Sequence, residues 1–158
     1  SRPMAKPRVF MMGLSPAFLP TDRKYARNHM WAEAAEGKFR VGFSAYAVRL
    51  LGDVAHLEWS AEAGMSVVAG QEIGFIEGSK ATSDLYAPMA GKIEQINRAV
   101  PANPTLINSN PYDTGWLLTI TGPGDELLSP EEYRALLETA WPLAQRILKR
   151  QVGANDGR

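Results

Sequence analysis

Apolar and polar residues alternate with a period of two along the middle of the chain. From Gln71, the residues Ile73, Phe75 and Glu77 fall on one face of a run whose other face carries Glu72, Gly74 and Ile76. The tripeptide Gly78-Ser79-Lys80 interrupts this run, and Leu85, Ala87 and Met89 then resume the alternation. The pattern predicts an antiparallel hairpin with Lys80 at its tip. Gly91 and the run Lys92-Ile93-Glu94-Gln95-Ile96 continue the meander as far as Asn97, and Trp116 to Ile120 supplies a further strand. Upstream, Phe39-Arg40-Val41 and Val54 to Trp59 read as strands around one short helix. Ser44 is its N-cap, Ala47, Leu50 and Leu51 are its apolar positions, and Gly52 is placed to stop it. Many short strands separated by turn signals predict a small β barrel or sandwich.

The two ends read differently. Residues 1–20 contain Pro3, Pro7, Pro16 and Pro20, which disfavour both a regular helix and a paired strand, so an extended arm is expected there. Its apolar residues, among them Phe10, Met12, Phe18 and Leu19, should lie along the domain or a partner. Near the other end, Ser129-Pro130-Glu131-Glu132 combines an N-cap serine, a proline at the first helical position and a carboxylate three residues after the cap. Tyr133, Leu136, Leu137 and Ala140 follow at helical spacing, giving a stripe that should pack on the barrel. Pro142 predicts a kink or a second helix running to about Lys149, followed by a frayed tail over 153–158. The expected organisation is an arm over 1–20, one domain over 21–140, and a helical extension with its tail over 141–158. Ser1 to Pro3, ahead of Met4, read as a cloning remnant.

Composition removes whole classes of function. The chain has 158 residues, 45% hydrophobic, enough for one core. Lysine plus arginine equals aspartate plus glutamate, at 17 each, so no net field draws the protein to nucleic acid or an anionic membrane. There is no cysteine, which rules out disulfides, thiolate metal sites and a cysteine nucleophile. No apolar run approaches the roughly 18 residues of a membrane span, and a monomer in the cytoplasm is expected. His29 and His56 lie far apart with no cysteine beside them, which gives little support to a metal site. The stretch Gly74 to Lys80 has the wrong glycine spacing for a phosphate-binding loop and carries Ala81 where a hydroxyl is needed. Ser44 lacks the second glycine of a nucleophile elbow. No nucleophile and base stand together, so no catalytic residue is expected.

An amine at the tip of a two-stranded turn stands clear of the barrel on a backbone held by strand pairing, where a modifying enzyme could enclose it. Its neighbours give that amine a meaning. Glu77-Gly78-Ser79-Lys80-Ala81-Thr82-Ser83-Asp84, continuing to Pro88-Met89-Ala90-Gly91, resembles the lipoyl-attachment segment of glycine cleavage H proteins, Glu-Ser-Val-Lys-Ala-x-Ser-Asp followed by Pro-x-x-Gly. Gly42 to Ala47, Leu51-Gly52-Asp53, Asn97, Asn103-Pro104, Leu106-Ile107-Asn108, Pro111-Tyr112 and Gly115-Trp116-Leu117 resemble further signatures of that family in the same order, over roughly Tyr25 to Leu137.

The resemblance implies a mainly β barrel-sandwich hybrid with a short helix and a C-terminal helix, and lipoate amide-linked to Lys80. Glu77, Gly78, Ser79, Ala81 and Asp84 would form the attachment segment, with Asn28, Met30 and Asp84 lining a cleft for the arm. It also implies a non-catalytic carrier that shuttles an aminomethyl group between a pyridoxal-phosphate glycine decarboxylase, an aminomethyltransferase and dihydrolipoamide dehydrogenase. A lipoate ligase or lipoyl synthase would load it. The lysine is flanked by Ser79 and Ala81 rather than the methionines usual around biotin.

Three positions depart from the family pattern. Met30 stands where the family places a glutamate between histidine and tryptophan, and a thioether cannot balance an ammonium. Ala45 replaces an aspartate. Gly78 and Ser79 replace serine and valine, which predicts a looser turn. Two other readings stay open on these grounds. One is an H-like lipoate-binding protein of another pathway, such as heterodisulfide-reductase-like sulfur oxidation, and the other is an unmodified interaction domain.

Overall fold

A computed structural model of the chain describes residues 6–155, with side chains as far as residue 147. Its strands in order are β1 Arg8–Met12, β2 Ser15–Leu19, β3 Lys24–Tyr25, β4 Met30–Ala35 and β5 Lys38–Phe43, then, after helix α1 Ala45–Leu51, β6 Val54–Trp59, β7 Ser66–Val67, β8 Glu72–Gly78, β9 Thr82–Tyr86 and β10 Gly91–Ile96. Two single-turn helices, α2 Ala99–Ala102 and α3 Leu106–Ser109, lead to β11 Leu118–Thr121 and the long helix α4 Pro130–Asn155. The predicted helix and hairpin are therefore present, and the chain is mainly β.

All pairings are antiparallel. One sheet runs β3-β4-β5-β11-β10-β7, a second runs β6-β8-β9, and β1 pairs with β2 alone. The inward faces of the two larger sheets share one core, in which Met30, Val41, Ile93, Leu118 and Ile120 meet Leu57, Ile73, Ile76 and Leu85. This is the barrel-sandwich arrangement. The simple alternation expected for β8 is broken by a bulge. Glu72 pairs with Tyr86 and Gly74 with Leu85, so Ile73 is the extra residue. The bulge turns both Ile73 and Ile76 inward, each fully buried, and leaves Phe75 half-buried on the other face.

The expected extended arm over 1–20 is corrected: residues 8–19 form the β1–β2 hairpin, with Pro16 opposite Met11. A two-stranded ladder uses only alternate N–H groups, so a proline can sit where none is needed. What orders the segment is its own alternation. Phe10, Met12, Ala17 and Leu19 are buried in a second core with Tyr25, Trp31, Tyr46, Leu128, Tyr133 and Leu137. Arg134 Nε donates to the Val9 carbonyl at 3.0 Å and Arg8 pairs with Glu131, joining the hairpin to α4. The boundary at residue 20 is thus no break in packing.

Helix α4 begins as its sequence predicts. Glu132 N–H donates to Ser129 Oγ at 3.1 Å, and Ser129 N–H donates back to Glu132 Oε1 at 2.8 Å. Tyr133 and Leu137 are fully buried on its inner face. No second helix starts at Pro142. The proline lies inside α4, which continues to Asn155 and so includes the first residues of the expected tail. Residues 1–5 and 156–158, on which the expected remnant and the end of the expected tail fall, lie outside the described residues. Among the described residues no helix is long and apolar enough to cross a membrane.

Candidate functional site

The site is assembled where α1 ends. Ser44 caps the helix, its Oγ accepting from Ala47 N–H at 3.3 Å, and Gly52 stops it in the left-handed region at φ 74°. A helix end leaves carbonyls without partners. The Leu51 carbonyl is filled by Lys80, whose N–H donates to it at 2.9 Å. One residue along, Ser79 N–H donates to the Asp53 carbonyl at 2.8 Å, and Asp53 N–H donates to Ser79 Oγ at 2.9 Å. Gly78 N–H donates to the Ala81 carbonyl at 2.9 Å and closes the turn. Asn108 secures the opposite side of the same loop, donating to the Gly52 carbonyl and accepting from Val54 N–H, both at 2.8 Å.

The looser turn expected from Gly78 and Ser79 is not what the structure shows. A Cβ on Gly78 would lie 2.1 Å from the Leu51 carbonyl oxygen, so the absent side chain lets the turn dock on α1, and the Ser79 hydroxyl adds a bond no valine could make. The Lys80 backbone is held from both sides. Its side chain is exposed, and among the described residues it has no ion pair or hydrogen bond for its ammonium. Glu77, Ser79 and Asp84 are exposed nearby, with Gly78 and Ala81 partly covered.

Asn28, Met30 and Asp84, widely spaced in sequence, line one cavity of about 210 Å³ together with Ala81 and Ser83 of the lysine segment and Leu51 of α1. Met30, Leu51 and Leu85 are buried and form its inner wall with Phe43. Asn28 pins that wall to β9, donating from Nδ2 to the Tyr86 carbonyl at 2.8 Å while its Oδ1 accepts from Met30 N–H at 3.3 Å. Asp84 stands at the mouth, its carboxylate accepting from the Tyr86 hydroxyl at 3.4 Å. Two larger cavities, about 560 Å³ beside Leu136 and Leu143 and about 1000 Å³ beside Trp59 and Trp116, include no residue of the turn.

Residues that sequence reasoning passed over hold the cleft in shape. His29 lines it with a left-handed backbone, φ 74°, rare outside glycine. Its carbonyl accepts from Ser44 N–H, its Nδ1 lies 3.0 Å from the Tyr133 hydroxyl, and that hydroxyl lies 2.7 Å from Ser44 Oγ. Burial pulls the imidazole pKa down to about 4. One hydroxyl of α4 therefore joins the cleft wall to the cap of the helix that receives Lys80. Tyr133→Phe leaves two partly or fully buried polar groups without that partner and is expected to destabilise the fold by about 1–3 kcal/mol. Urea denaturation monitored by tryptophan fluorescence would show it; an unchanged midpoint would remove the bridge from the account. No local signal in the sequence marks this contact, because its partners come from opposite ends of the chain.

The chain is similar to known proteins over most of its length. The family model described as glycine cleavage H-protein matches residues 23–140. A glycine cleavage system H protein from Alcanivorax borkumensis is 39% identical over 125 residues, covering 77% of this chain and 97% of the relative. Its counterpart from Listeria monocytogenes is 40% identical over 124 residues, covering 76% and 98%. The crystal structure of a glycine cleavage system H protein from Mycobacterium marinum superposes with a TM-score of 0.64 at 35% identity, over 74% of this chain and 97% of that one. The matched span takes in α1, the lysine turn, the cleft and the start of α4, and the chain belongs to the glycine cleavage H-protein family.

Proposed function

We propose that Lys80 carries lipoate in amide linkage and that the protein is the mobile-arm carrier of a glycine cleavage system. In this reading it passes an aminomethyl unit from a pyridoxal-phosphate glycine decarboxylase to an aminomethyltransferase, and dihydrolipoamide dehydrogenase then reoxidises the arm. The observation that carries the reading is an exposed ammonium, without a partner among the described residues, on a backbone hydrogen-bonded to α1. Such an amine can be acylated without breaking an ion pair, and the fixed turn presents it to a lipoate ligase.

The surrounding residues suit the group. Amide formation removes the lysine charge and leaves a long, mostly apolar chain, and the neighbouring cleft offers it an apolar wall. When bound, lipoate supplies a dithiolane that accepts and releases a one-carbon unit and a pair of electrons. The chain's own part is to hold the attachment point still, to offer the arm an apolar cleft beside it and to keep its surface free of competing thiols. With no cysteine anywhere, it offers no sulfur that could exchange with the dithiolane. The chain itself makes and breaks no bond in this scheme.

Co-expression with a lipoate ligase followed by intact-mass measurement tests the proposal. The expected result is a gain of one lipoyl group in the native chain and none in Lys80→Arg. No gain, or a gain that survives Lys80→Arg, overturns it.

A further inference from the structure

The cleft beside Lys80 is lopsided in its chemistry. Its inner wall is apolar, with Met30 only 1% exposed and Leu85 also 1%. Its neutral polar groups are engaged within the protein: both ends of the Asn28 amide are bonded, His29 Nδ1 faces the Tyr133 hydroxyl, and the Ser83 and Tyr86 hydroxyls donate to the Asp84 carbonyl and carboxylate. Its one carboxylate is that of Asp84, which is exposed at the mouth. Water and salt screen an exposed charge, so an ion pair there contributes about 0–1 kcal/mol. An ammonium moved past Asp84 to the wall would lose its hydration with nothing to replace it. An uncharged chain or a dithiolane would lose little and would meet the polarisable thioether of Met30.

We propose that this cleft sorts the arm by charge: it shelters the arm when its end is uncharged and leaves it in solvent when the end carries an ammonium, with Met30 as the residue that sets this preference. The inference rests on the lipoyl assignment of Lys80 and adds to it a cargo preference. Reach is not in question, because Leu51, which receives the Lys80 N–H, and Ala81, next in sequence, both line the cleft. Its consequence is that a cationic load stays exposed to a docking enzyme or to water, while the empty oxidised arm rests in the cleft. For a carrier of aminomethyl units this means a short-lived charged state; a carrier of uncharged adducts would lose nothing by it.

The absence of cysteine makes a direct test possible, because thiol reagents act only on the arm. The lipoylated full chain is reduced, and both arm thiolates are alkylated, displacing bromide, with either 2-bromoethylamine or 1-bromopropane. The two products have equal heavy-atom counts at each sulfur and differ in charge. Labelled methionine methyl groups are then observed by NMR, with the Met30 signal assigned by its loss in Met30→Leu. The oxidised and propylated arms are expected to shift the Met30 methyl relative to the unmodified chain. The aminoethylated arm is expected to occupy the cleft at least roughly tenfold less. Met30→Glu, read instead at labelled methyl groups of Leu51 and Leu85 in the same wall, should reverse the order, but the three arms on the native chain suffice if that variant folds poorly. Equal shifts from both alkylated arms, or no shift from any, overturn the charge preference. Failure of lipoylation itself shows in the intact mass and bears only on the assignment of Lys80.

Discussion

Gly78→Ala is expected to detach the lysine turn from α1 and to destabilise that contact by about 3 kcal/mol. A Cβ placed 2.1 Å from the Leu51 carbonyl oxygen cannot be accommodated by a side-chain rotation, since the atom it meets is backbone. The turn must move, and three hydrogen bonds lie across the gap: Lys80 N–H to Leu51, Ser79 N–H to Asp53, and Asp53 N–H to Ser79 Oγ. At roughly 1 kcal/mol net for each bond, their loss gives the figure above. Native-state hydrogen exchange at the Lys80 amide reads it directly, as an increase on the order of 100-fold confined to the turn. Because the turn is what presents the amine, lipoylation by ligase should slow in step. Unchanged protection at Lys80 would mean that the close approach of Gly78 holds nothing in place. The substitution adds one methyl group and no charge, so the effect separates docking of the turn from folding of the barrel.

Acidification from about pH 7.5 to about pH 4.5 is expected to cost the native chain about 2–3 kcal/mol more than it costs His29→Asn. Burial lowers the His29 pKa from 6.5 to about 4, the charged imidazolium being poorly solvated between Tyr46 and Tyr133. Between these two values the unfolded chain binds a proton that the folded chain does not. Stability from this group is therefore complete above about pH 6.5, falls as the pH drops through the window, and is gone below about pH 4. Asparagine is chosen because it tolerates the left-handed backbone that His29 adopts, and it does not titrate. Carboxylates titrate in both proteins and cancel in the comparison. Urea unfolding at the two pH values measures the difference, and parallel losses in both proteins would show that His29 does not titrate across this transition. Since His29 also lines the cleft, its protonation should open the wall beside Met30 before the barrel is lost.

Much of the site was legible in the sequence because its signals are local. The period of two around Gly78-Ser79-Lys80 specifies a hairpin, and helix α1 is bounded by its own cap and stop residues. The capping box at Ser129 and Glu132 formed as written. In each case the groups that satisfy one another lie within a few residues, so pattern alone locates them. The departures have a common cause. Prolines argued against pairing in residues 8–19, yet alternate apolar residues there found a second core built by Tyr46 and α4, and burial outweighed propensity. Gly78 looked like slack in a turn and instead makes room for a carbonyl from another element.

By itself, then, the sequence determined the strands on either side of α1 and around the lysine turn, the two main helices, the position of Lys80 and the family motif around it, since these follow from spacing along the chain, but not the β1–β2 hairpin. Only the tertiary structure decided that Asn28, Met30 and Asp84 share one cleft, that its wall is apolar, and that Tyr133 braces His29 and Ser44. Those facts depend on which faces meet when two sheets and a terminal helix pack. Packing joins residues far apart in sequence through burial and hydrogen bonding, and a one-dimensional pattern carries no record of the meeting.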